Sequence, residues 1–371
     1  MKVAFLAFNF SEYCVRLASG IADDDETSVL LLLPNTEAQP YLPLLSKAVR
    51  VKLFDKPRLR QPISQVRMVI QLLRQITSFN PDVIHLQQGH LWFNLLALPF
   101  LGKYPLVLTV HDAVVHVGDD ESRKTPQWVY DRGRHSADQL IVHAQHVKDL
   151  VLQITRIPES AVHVIPHIFI GENTRTAQEN KQVERPLILF FGRIWEYKGL
   201  EYLIRAEPLI TSKVPQAKIV IAGVGENLDR YRRMMVHPEQ FIVYNDYVSD
   251  AMRDDLFRSA SVVVLPYIEA SQSGVIPMAY RFSKPVVATT VGGLPEMVDD
   301  GVTGYLVPPR DPDSLADAIK SLLQDSQKRE RFGANGLRKV NAECGQELIG
   351  RLTRAVYRKT VATAYHDAPQ R

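Results

Sequence analysis

The stretch SVVVLPYIEASQSGVIPMAYRFSKPVVATTVGGLPE, from Ser261 to Glu296, has the pattern of a strand, a helix and a second strand. Its apolar runs, SVVVLP and PVVATTV, are short and rich in Val, which is typical of strands buried on both faces of a parallel sheet. The stretch 274–282 between them predicts the helix that joins the two strands. This βαβ unit indicates an α/β fold.

The same alternation extends over nearly the whole chain. Further strand candidates include KVAFLAF, SVLLLLP, DVIHLQ and LVLTVHD in the first half, and LILFFG and AKIVIAG in the second. Two such series predict two doubly wound, Rossmann-like domains that face each other across a cleft. We expect the first domain at 1–170, a polar linker at 171–186, the second domain at 187–345, and a final helix at 346–371 that returns to the first domain.

The sequence carries no motif for a dinucleotide, a P-loop nucleotide or a metal. GxGxxG, GxxxxGK[ST], HExxH and CxxC are all missing, and the spacing of the eleven histidines fits no metal site. We therefore expect neither a metal nor another cofactor. No apolar run reaches the length of about eighteen residues that a membrane-spanning helix needs. Cys14 and Cys344 are far apart in the sequence and indicate reduced thiols in a cytoplasmic protein.

Positive charge is concentrated in one stretch of the first domain. The formal net charge is only +3, but eight basic residues lie between Ser46 and Gln75, where Asp55 alone opposes them. Either this stretch is a solvated surface, or it contacts an anionic membrane or an anionic lipid-linked substrate. A nucleic-acid face is disfavoured, because few aromatic residues are available to stack on bases.

Two cations lie in one predicted strand-to-helix loop. In FFGRIWEYKGLEYLI, Arg193 directly follows a strand and Lys198 precedes a helix. Both are therefore expected at the edge of a doubly wound sheet where ligands bind. The planar fork of an arginine and the mobile charge of a lysine together suit a diphosphate. The alternative is that both are surface charges paired with Glu196 or Glu201.

The SQSG run within the first quoted stretch marks a second candidate site. Ser271, Gln272 and Ser273 can form hydrogen bonds, and Gly274 and Val275 open the following helix. Free N–H groups at a helix N-terminus bind anions, and small residues let a phosphate approach them closely. The alternative is an ordinary helix cap provided by Ser273.

Several motifs, in the correct order, resemble the retaining glycosyltransferases of family 4, which have the GT-B fold. They are PDVIH, LTVHD, VIPH, GRIWEYKGLEYLI, IAGVGE and KPVVATTVGGLPEMVDDGVTGYLVPPRDPDSLADAI. The resemblance is nearly free of gaps over 186–322 and weaker over the first half. It implies a metal-independent transfer of a sugar from a nucleotide-diphosphate-sugar donor, with retention of the anomeric configuration.

The resemblance also implies roles for individual residues. Arg193 and Lys198 match the cations that hold the donor diphosphate and neutralise charge on the leaving group. His111 matches the histidine that approaches the donor sugar, although it could instead cap the end of a strand together with Asp112. From the chemistry of the residues themselves, the SQSG run and Val275 are expected to contact the distal phosphate and the sugar.

The chain departs from the family pattern at two places. The paired glutamates of the family fall on Ala270 and Met278, and Glu269, one position earlier, is expected to replace the first of them as a catalytic residue. The Gly-Gly pair that follows the first strand in the family is replaced by the turn NFSEYC. Within that turn, Asn9 and Ser11 are the expected contacts to the acceptor.

Two functions remain open from the sequence. The first is an active transferase that modifies a glycan or a lipid-linked acceptor in cell-surface or extracellular polysaccharide assembly, at the cytoplasmic face of the membrane. The second is a degenerate relative that binds sugar nucleotides or acts as a scaffold. The missing glutamates favour the second, whereas the retained Arg193, Lys198 and His111 favour the first. A GT-B enzyme of another reaction, such as the epimerisation of a nucleotide sugar, is a third alternative.

Overall fold

The computed structural model of the 371-residue chain describes residues 1–114, 116, 125–171 and 186–366, with side chains up to residue 364. The chain divides into two compact units. The first comprises Met1–Val115, Asp120–Ile168 and Glu343–Arg371, and the second comprises His116–Asp119 and Phe169–Ala342. Most of the linker expected at 171–186 lies outside the described residues.

The first unit is built around a parallel, seven-stranded sheet with the order β3-β2-β1-β4-β5-β6-β7. Its strands are β1 (Lys2–Ala7), β2 (Ser28–Pro34), β3 (Val49–Phe54), β4 (Val83–Gln87), β5 (Leu106–Val110), β6 (Gln139–Val142) and β7 (Val162–Val164). Its helices up to this point in the chain are α1 (Ser11–Ile21), α2 (Asn35–Ala38), α3 (Pro62–Phe79), α4 (Leu91–Leu96), α5 (Leu98–Leu101), α6 (Gln127–Ser136) and α7 (Gln145–Ile154). The chain order reverses between β1 and β4, which is therefore the switch point of this doubly wound sheet.

The first sheet is held by apolar side chains on both of its faces. Every residue of β4 and β5 is buried. On α3, the side chains of Met68, Val69, Leu72 and Ile76 recur at helical spacing and pack into this core. Burying a side chain of this size contributes about 1.5 to 3 kcal/mol to folding. This core holds the sheet in place. Because all of its strands are parallel, their carboxyl ends lie along one edge.

The second unit contains a parallel, six-stranded sheet with the order β10-β9-β8-β11-β12-β13. Its strands are β8 (Leu187–Phe191), β9 (Lys218–Ala222), β10 (Phe241–Tyr244), β11 (Val262–Leu265), β12 (Val286–Thr289) and β13 (Gly304–Val307). Its helices are α8 (Leu200–Thr211), α9 (Asp229–Arg232), α10 (Asp250–Ser259), α11 (Val275–Arg281), α12 (Leu294–Met297), α13 (Pro312–Gln324) and α14 (Ser326–Glu343). Here the order reverses between β8 and β11.

The helix α9 is much shorter than the sequence pattern suggests. The stretch 228–236 has a helical pattern, but only Asp229–Arg232 is α-helical. His237 precedes Pro238 and has φ −120° and ψ 81°, outside the helical region. The ring of Pro238 disfavours the helical conformation of His237 and so limits the helix at its far end, but residues 233–236 also lie outside the α-helix.

The last helix, α15 (Gln346–His366), belongs to the first unit and packs against α1. Arg354 on α15 donates hydrogen bonds to the carbonyl oxygens of Gly20 and Ile21 at 2.6 and 3.0 Å. Gly20 and Gly350 allow the two helices to approach, because a Cβ added at Gly350 would lie 2.2 Å from the backbone of Gly20. The C-terminal helix thus returns to the first unit, as the sequence predicts.

The sequence-based prediction of fold class is confirmed. Two parallel sheets of the doubly wound type are present, each flanked by helices. Among the described residues, the longest helices are too polar to cross a bilayer.

Candidate functional site

The predicted donor-binding residues lie at the switch point of the second sheet. Arg193 and Lys198 follow β8, and the SQSG run follows β11. These two strands are neighbours, and their carboxyl ends are the place where doubly wound sheets bind ligands. The order of the strands therefore brings together two segments that are about seventy residues apart in the chain.

The loops after β8 and β11 are joined by close backbone contacts. Gly199 has φ 65°, in the left-handed region, and a Cβ added there would lie 1.9 Å from the carbonyl oxygen of Pro266. The N–H of Ile268 donates to the carbonyl oxygen of Tyr197 at 2.8 Å. A glycine is required at position 199, and it sets Lys198 beside the loop that carries the SQSG run.

Tyr267 lies at the centre of this arrangement. Its ring is buried, and the Lys198 ammonium group lies 3.8 Å from the ring centroid. Burial raises the pKa of Tyr267 to about 12, while the Ser273 hydroxyl and the positive charge of Arg193 lower it. Both predicted cations and the SQSG run therefore act on one aromatic side chain.

The SQSG run lies directly before α11. Ser271 and Ser273 are buried, and the Val275 N–H donates to Ser273 Oγ at 3.2 Å. The Gln272 Oε1 atom is buried and has no hydrogen-bond partner among the residues that the structure describes. Gly274 has φ −68° and ψ −11°, which any residue can adopt, so the backbone alone does not require a glycine there.

A second glycine contact fixes the chain just before this run. Gly292 has φ 54°, and a Cβ added there would lie 1.5 Å from the carbonyl oxygen of Ala270. The turn after β12 is therefore packed directly beneath the loop after β11. The Thr289 hydroxyl adds a hydrogen bond of 2.6 Å to the carbonyl oxygen of Tyr267.

Glu269 is placed beside a histidine that sequence reasoning missed. The His116 Nδ1 atom lies 3.6 Å from Glu269 Oε2, and its Nε2 atom lies 3.1 Å from Ser271 Oγ. The His116 ring also stacks on Tyr197 at a centroid distance of 4.7 Å. His116 thus connects the expected catalytic carboxylate with the first serine of the SQSG run, within the second unit.

The two positions that carry glutamates in the family are apolar and inaccessible here. Ala270 is 6% exposed, and Met278 is 3% exposed on α11. Met278 therefore counts among the buried apolar side chains. A carboxylate at this position would be desolvated, which is costly unless a partner is present.

The remaining predicted site residues, Asn9, Ser11 and His111, lie at the carboxyl edge of the first sheet. Asn9 Oδ1 accepts a hydrogen bond of 2.6 Å from Lys56, which also donates to the carbonyl oxygen of Phe8 at 2.6 Å. Lys56 was counted with the basic stretch, but these bonds tie its ammonium group to the turn after β1. Ser11 is buried, and its Oγ atom has no partner among the described residues.

His111 follows β5 and is enclosed by polar and aromatic neighbours. The amide Nε2 of Gln87 is hydrogen-bonded to His111 Nε2, and the Phe10 ring stacks on the imidazole at 4.4 Å. Burial holds the pKa of His111 well below its ordinary value, and nearby histidines lower it further. The following Asp112 carbonyl accepts a hydrogen bond of 2.9 Å from Arg134, which fixes the turn. The His111 imidazole is therefore neutral at neutral pH.

Five residues near the candidate sites were missed from the sequence. They are Gln87, His116, His143, His167 and Tyr267. Gln87, His143 and Tyr267 each end or closely follow a strand, as His111 does, and this position was the signal that could have found them. The described residues contain no group of three or more His, Cys, Asp or Glu side chains arranged to hold a metal ion.

Family models of known proteins match both halves of the chain. Residues 11–168 match the profile of glycosyltransferase family 4, and residues 185–325 match that of the glycosyl transferases group 1. An uncharacterised glycosyltransferase of Methanocaldococcus jannaschii is 29% identical over 297 residues, which are 75% of each chain. The D-inositol 3-phosphate glycosyltransferase of Corynebacterium diphtheriae is 29% identical over 68% of this chain and 65% of its own length.

Solved structures show the same fold. The crystal structure of Anabaena HepE in complex with UDP-glucose aligns over 98% of this chain and the whole of that one, with a TM-score of 0.72 and 19% identity. WaaG, a glycosyltransferase of lipopolysaccharide biosynthesis, aligns over 95% of this chain and 98% of its own, with a TM-score of 0.65 and 12% identity. The chain belongs to the group 1 glycosyltransferases of family 4, with the GT-B fold.

Proposed function

We propose that this protein transfers a hexosyl group from a nucleotide-diphosphate-sugar donor to a glycan or a lipid-linked acceptor, with retention of configuration and without a metal ion. The proposed reaction belongs to the assembly of cell-surface or extracellular polysaccharide. The observation that carries the proposal is the convergence of Lys198, Arg193 and Ser273 on Tyr267 at the switch point of the second sheet.

The donor proposal rests on the charge and position of these groups. The diphosphate of the donor is the part that needs cations, and Arg193 and Lys198 provide two in one loop. As the sugar leaves, negative charge grows on the diphosphate, and preorganised cations stabilise it at that moment. Since two side chains supply this charge, the proposed reaction does not require a divalent metal. Anabaena HepE, which shares the fold, has been crystallised with UDP-glucose.

The SQSG run is proposed to bind the distal phosphate and the sugar. Ser271, Gln272 and Ser273 offer neutral hydroxyl and amide groups, and Gly274 and Val275 offer backbone at the start of α11. Neutral groups can orient sugar hydroxyls without repelling the diphosphate beside them. Because Val275 N–H is bonded to Ser273 Oγ, a phosphate that binds there must share or replace that bond.

Glu269 and His111 are proposed as the catalytic residues. Glu269 stands one position before the first carboxylate of the family, and the His116 imidazole lies within 3.6 Å of it. His111 is neutral, so it can form a hydrogen bond to a sugar hydroxyl without adding charge to the site. Asn9 and Ser11, in the turn after β1, are proposed to contact the acceptor.

A degenerate, non-catalytic protein is the alternative that a specific observation favours. Both family glutamate positions are occupied by buried apolar residues, Ala270 and Met278. Donor hydrolysis and transfer, measured over a panel of UDP-, GDP-, ADP- and dTDP-sugars, separate the two functions. Turnover that is lost in Glu269→Gln supports the transferase. Tight nucleotide binding without turnover for any sugar would instead indicate a scaffold.

Membrane contact is proposed for the outer face of α3, at the cytoplasmic surface. Ile63, Val66 and Ile70 are exposed there, and Arg67 and Arg74 lie between and beyond them at helical spacing. Exposed aliphatic side chains interleaved with arginines suit the interface of a bilayer that contains anionic lipid. This contact would hold the protein near a lipid-linked acceptor.

A further inference from the structure

Three buried histidines form a cluster along the carboxyl edge of the first sheet. His111 follows β5, His143 follows β6 and His167 follows β7, whereas His85 lies within β4. The ring centroids of His111 and His143 are 4.9 Å apart, and those of His143 and His167 are 5.1 Å apart. Only His111 has a role in the proposed reaction, so the other two need a separate explanation.

Backbone carbonyl groups fix the tautomers of two members of the histidine cluster. His143 Nδ1 lies 2.8 Å from the carbonyl oxygen of Ile165, and His167 Nδ1 lies 2.7 Å from that of Ile168. A carbonyl oxygen only accepts, so in both rings Nδ1 carries the proton and donates it. In a neutral imidazole the other nitrogen, Nε2, then presents a lone pair that can only accept.

The imidazoles of the cluster stay neutral. Burial lowers the pKa of His143 to about 4 and that of His167 to about 3, and burial also lowers the pKa of His85 to about 3. Asp112 opposes the shift at His143 only in part. At neutral pH this edge of the sheet therefore offers lone pairs and amide groups, and the histidines add no positive charge.

Three polar atoms in and beside the cluster lack partners within the described chain. They are Ser11 Oγ, Gln87 Oε1 and His143 Nε2, and each belongs to a side chain that is more than nine-tenths buried. An unpaired buried polar group costs about 1 to 3 kcal/mol of folding free energy. Three such atoms along the carboxyl edge of one sheet are positions at which a ligand can supply the missing partners.

Phe10 lies over one member of the histidine cluster. Its ring stacks on His111 and is 43% exposed, and its backbone has φ 62° and ψ 41°. A bulky residue in the left-handed region is strained, so this ring is held over the cluster at the expense of local backbone energy. An aromatic face of this kind packs well against the apolar C–H face of a sugar ring.

We propose that this edge of the first unit binds a neutral, hydroxyl-bearing compound, a sugar or another polyol, and that Ser11, Gln87 and His143 select it against phosphorylated or carboxylated compounds. Hydroxyl groups can donate to the lone pairs of His143 Nε2 and Gln87 Oε1. A phosphate dianion or a carboxylate brings only lone pairs to the same atoms and is repelled. Lys56, at the turn after β1, is already bonded to Phe8, Asn9 and Glu37. That this compound is the sugar acceptor rests on the proposed function.

The direct test is a comparison of matched neutral and phosphorylated probes. Myo-inositol and methyl glucoside are titrated against inositol phosphate and glucose 6-phosphate, with detection by NMR of the protein labelled with 15N-histidine. We expect the neutral probes to shift the Nε2 signals of His143 at millimolar concentration and the phosphorylated probes to leave them in place. Tighter binding of a phosphorylated probe at these signals, or no shift with either polyol, overturns the inference.

Ser11→Ala provides a variant whose folding is not at risk. Since Ser11 Oγ has no partner in the described chain, its removal should leave the melting temperature unchanged or raise it. The affinity for the polyol should fall about fivefold, the effect of one lost hydrogen bond. Ser64→Ala, an exposed serine on α3, is the matched control. A lower melting temperature with unchanged polyol affinity would assign Ser11 to folding alone.

His143→Phe keeps the ring and removes the lone pair. It should weaken polyol binding in the same way, although it also leaves the Ile165 carbonyl without its donor. UDP binding and donor hydrolysis are measured on the same samples. If both fail in the wild-type protein while the polyol shifts remain, the proposed function is wrong and the inference stands. If both succeed without polyol shifts, the inference is wrong and the proposed function stands.

Discussion

The Lys198 ammonium group lies 3.8 Å from the centroid of the Tyr267 ring, although the two residues come from loops that follow different strands. The ring face attracts the cation and limits the positions that its long side chain can take. In the proposed donor site, a lysine held in this way loses less side-chain entropy when the diphosphate binds.

Replacing Tyr267 should therefore weaken diphosphate binding although both cations, Arg193 and Lys198, are kept. We expect Tyr267→Leu to lower the affinity for UDP or for the preferred nucleoside diphosphate by about 1 kcal/mol, or about fivefold. Tyr267→Phe keeps the ring face and should bind nearly as well as the wild type. Isothermal titration calorimetry measures both. Equal losses in the two variants would assign the effect to the hydroxyl group instead of the ring.

Replacing Arg193, one of the two proposed cations, should weaken diphosphate binding more than replacing Tyr267 does. Arg193→Ala is expected to weaken binding of a nucleoside diphosphate by about 2 kcal/mol, or about thirtyfold, because a charge-assisted hydrogen bond is lost. Folding should change little, since Arg193 is exposed. Arg205→Ala, an exposed arginine on α8 that pairs with Glu201, is the control for net charge. Unchanged affinity in both Arg193→Ala and Lys198→Ala would remove these residues from the donor site.

The SQSG run can be tested by separating its capping role from catalysis. Ser273→Ala removes the acceptor of the Val275 N–H and should lower stability by about 1 kcal/mol. Gly274→Val leaves the backbone unstrained, because φ and ψ at Gly274 suit any residue, yet its side chain should block a phosphate and abolish transfer. Melting temperature and transfer rate per folded molecule are measured together. A normal rate in Gly274→Val would leave the run with only a structural role.

The buried histidines predict a loss of stability in mild acid. Their folded-state pKa values of about 3 to 4 lie below the value of about 6.5 in an unfolded chain, so the unfolded state binds more protons as the pH falls. The stability is complete above about pH 6.5. Each such histidine then lowers the free energy of unfolding by about 1 kcal/mol as the pH falls from 6.5 to 5.5.

Urea unfolding at pH 7.5, 6.5 and 5.5 measures this dependence. His143→Phe should make the loss between pH 6.5 and 5.5 smaller by about 1 kcal/mol, because one titrating group is gone. His135→Gln, at an exposed histidine on α6, should leave the loss unchanged. A wild-type protein whose stability does not change from pH 7.5 to 5.5 would show that these histidines are not neutral in the fold.

Membrane contact through α3 predicts binding to vesicles that contain acidic lipid. Arg67→Glu with Arg74→Glu should release the protein, because each basic residue near such a surface contributes about 1 kcal/mol. Ile63→Glu should weaken binding at constant arginine content. Lys213→Glu with Arg331→Glu, in the second unit, is the control with the same net charge. A wild type that does not prefer acidic vesicles at low salt would leave α3 as a solvated face.

Much of the fold follows from local pattern. The apolar runs LILFFG, SVVVLP and PVVATTV predict β8, β11 and β12, and the stretch 274–282 predicts α11 to within one residue at each end. Helix ends follow less closely from local pattern: α9 ends at Arg232, although the helical pattern extends to residue 236. At Met278, where the family pattern has a glutamate, the sequence shows that the carboxylate is missing, and the structure adds that the side chain is buried.

The sequence by itself determined the two doubly wound units and placed Arg193, Lys198, His111 and the SQSG run after strands. It could do so because the burial of a parallel strand and the capping of a helix depend on residues that are near in the chain. Only the tertiary structure decided which side chains meet: Lys198 with Tyr267, Glu269 with His116, and Lys56 with the turn after β1.

The histidine cluster is the clearest example of an arrangement that only the tertiary structure decided. Its members are separated by dozens of residues, and no local spacing connects them. The parallel order of β5, β6 and β7 alone brings their carboxyl ends to one edge, where burial keeps the imidazoles neutral and carbonyl groups fix two of the tautomers. Charge state and hydrogen-bond direction depend on these distant neighbours, and for that reason the chemistry of this edge could be derived only from the folded chain.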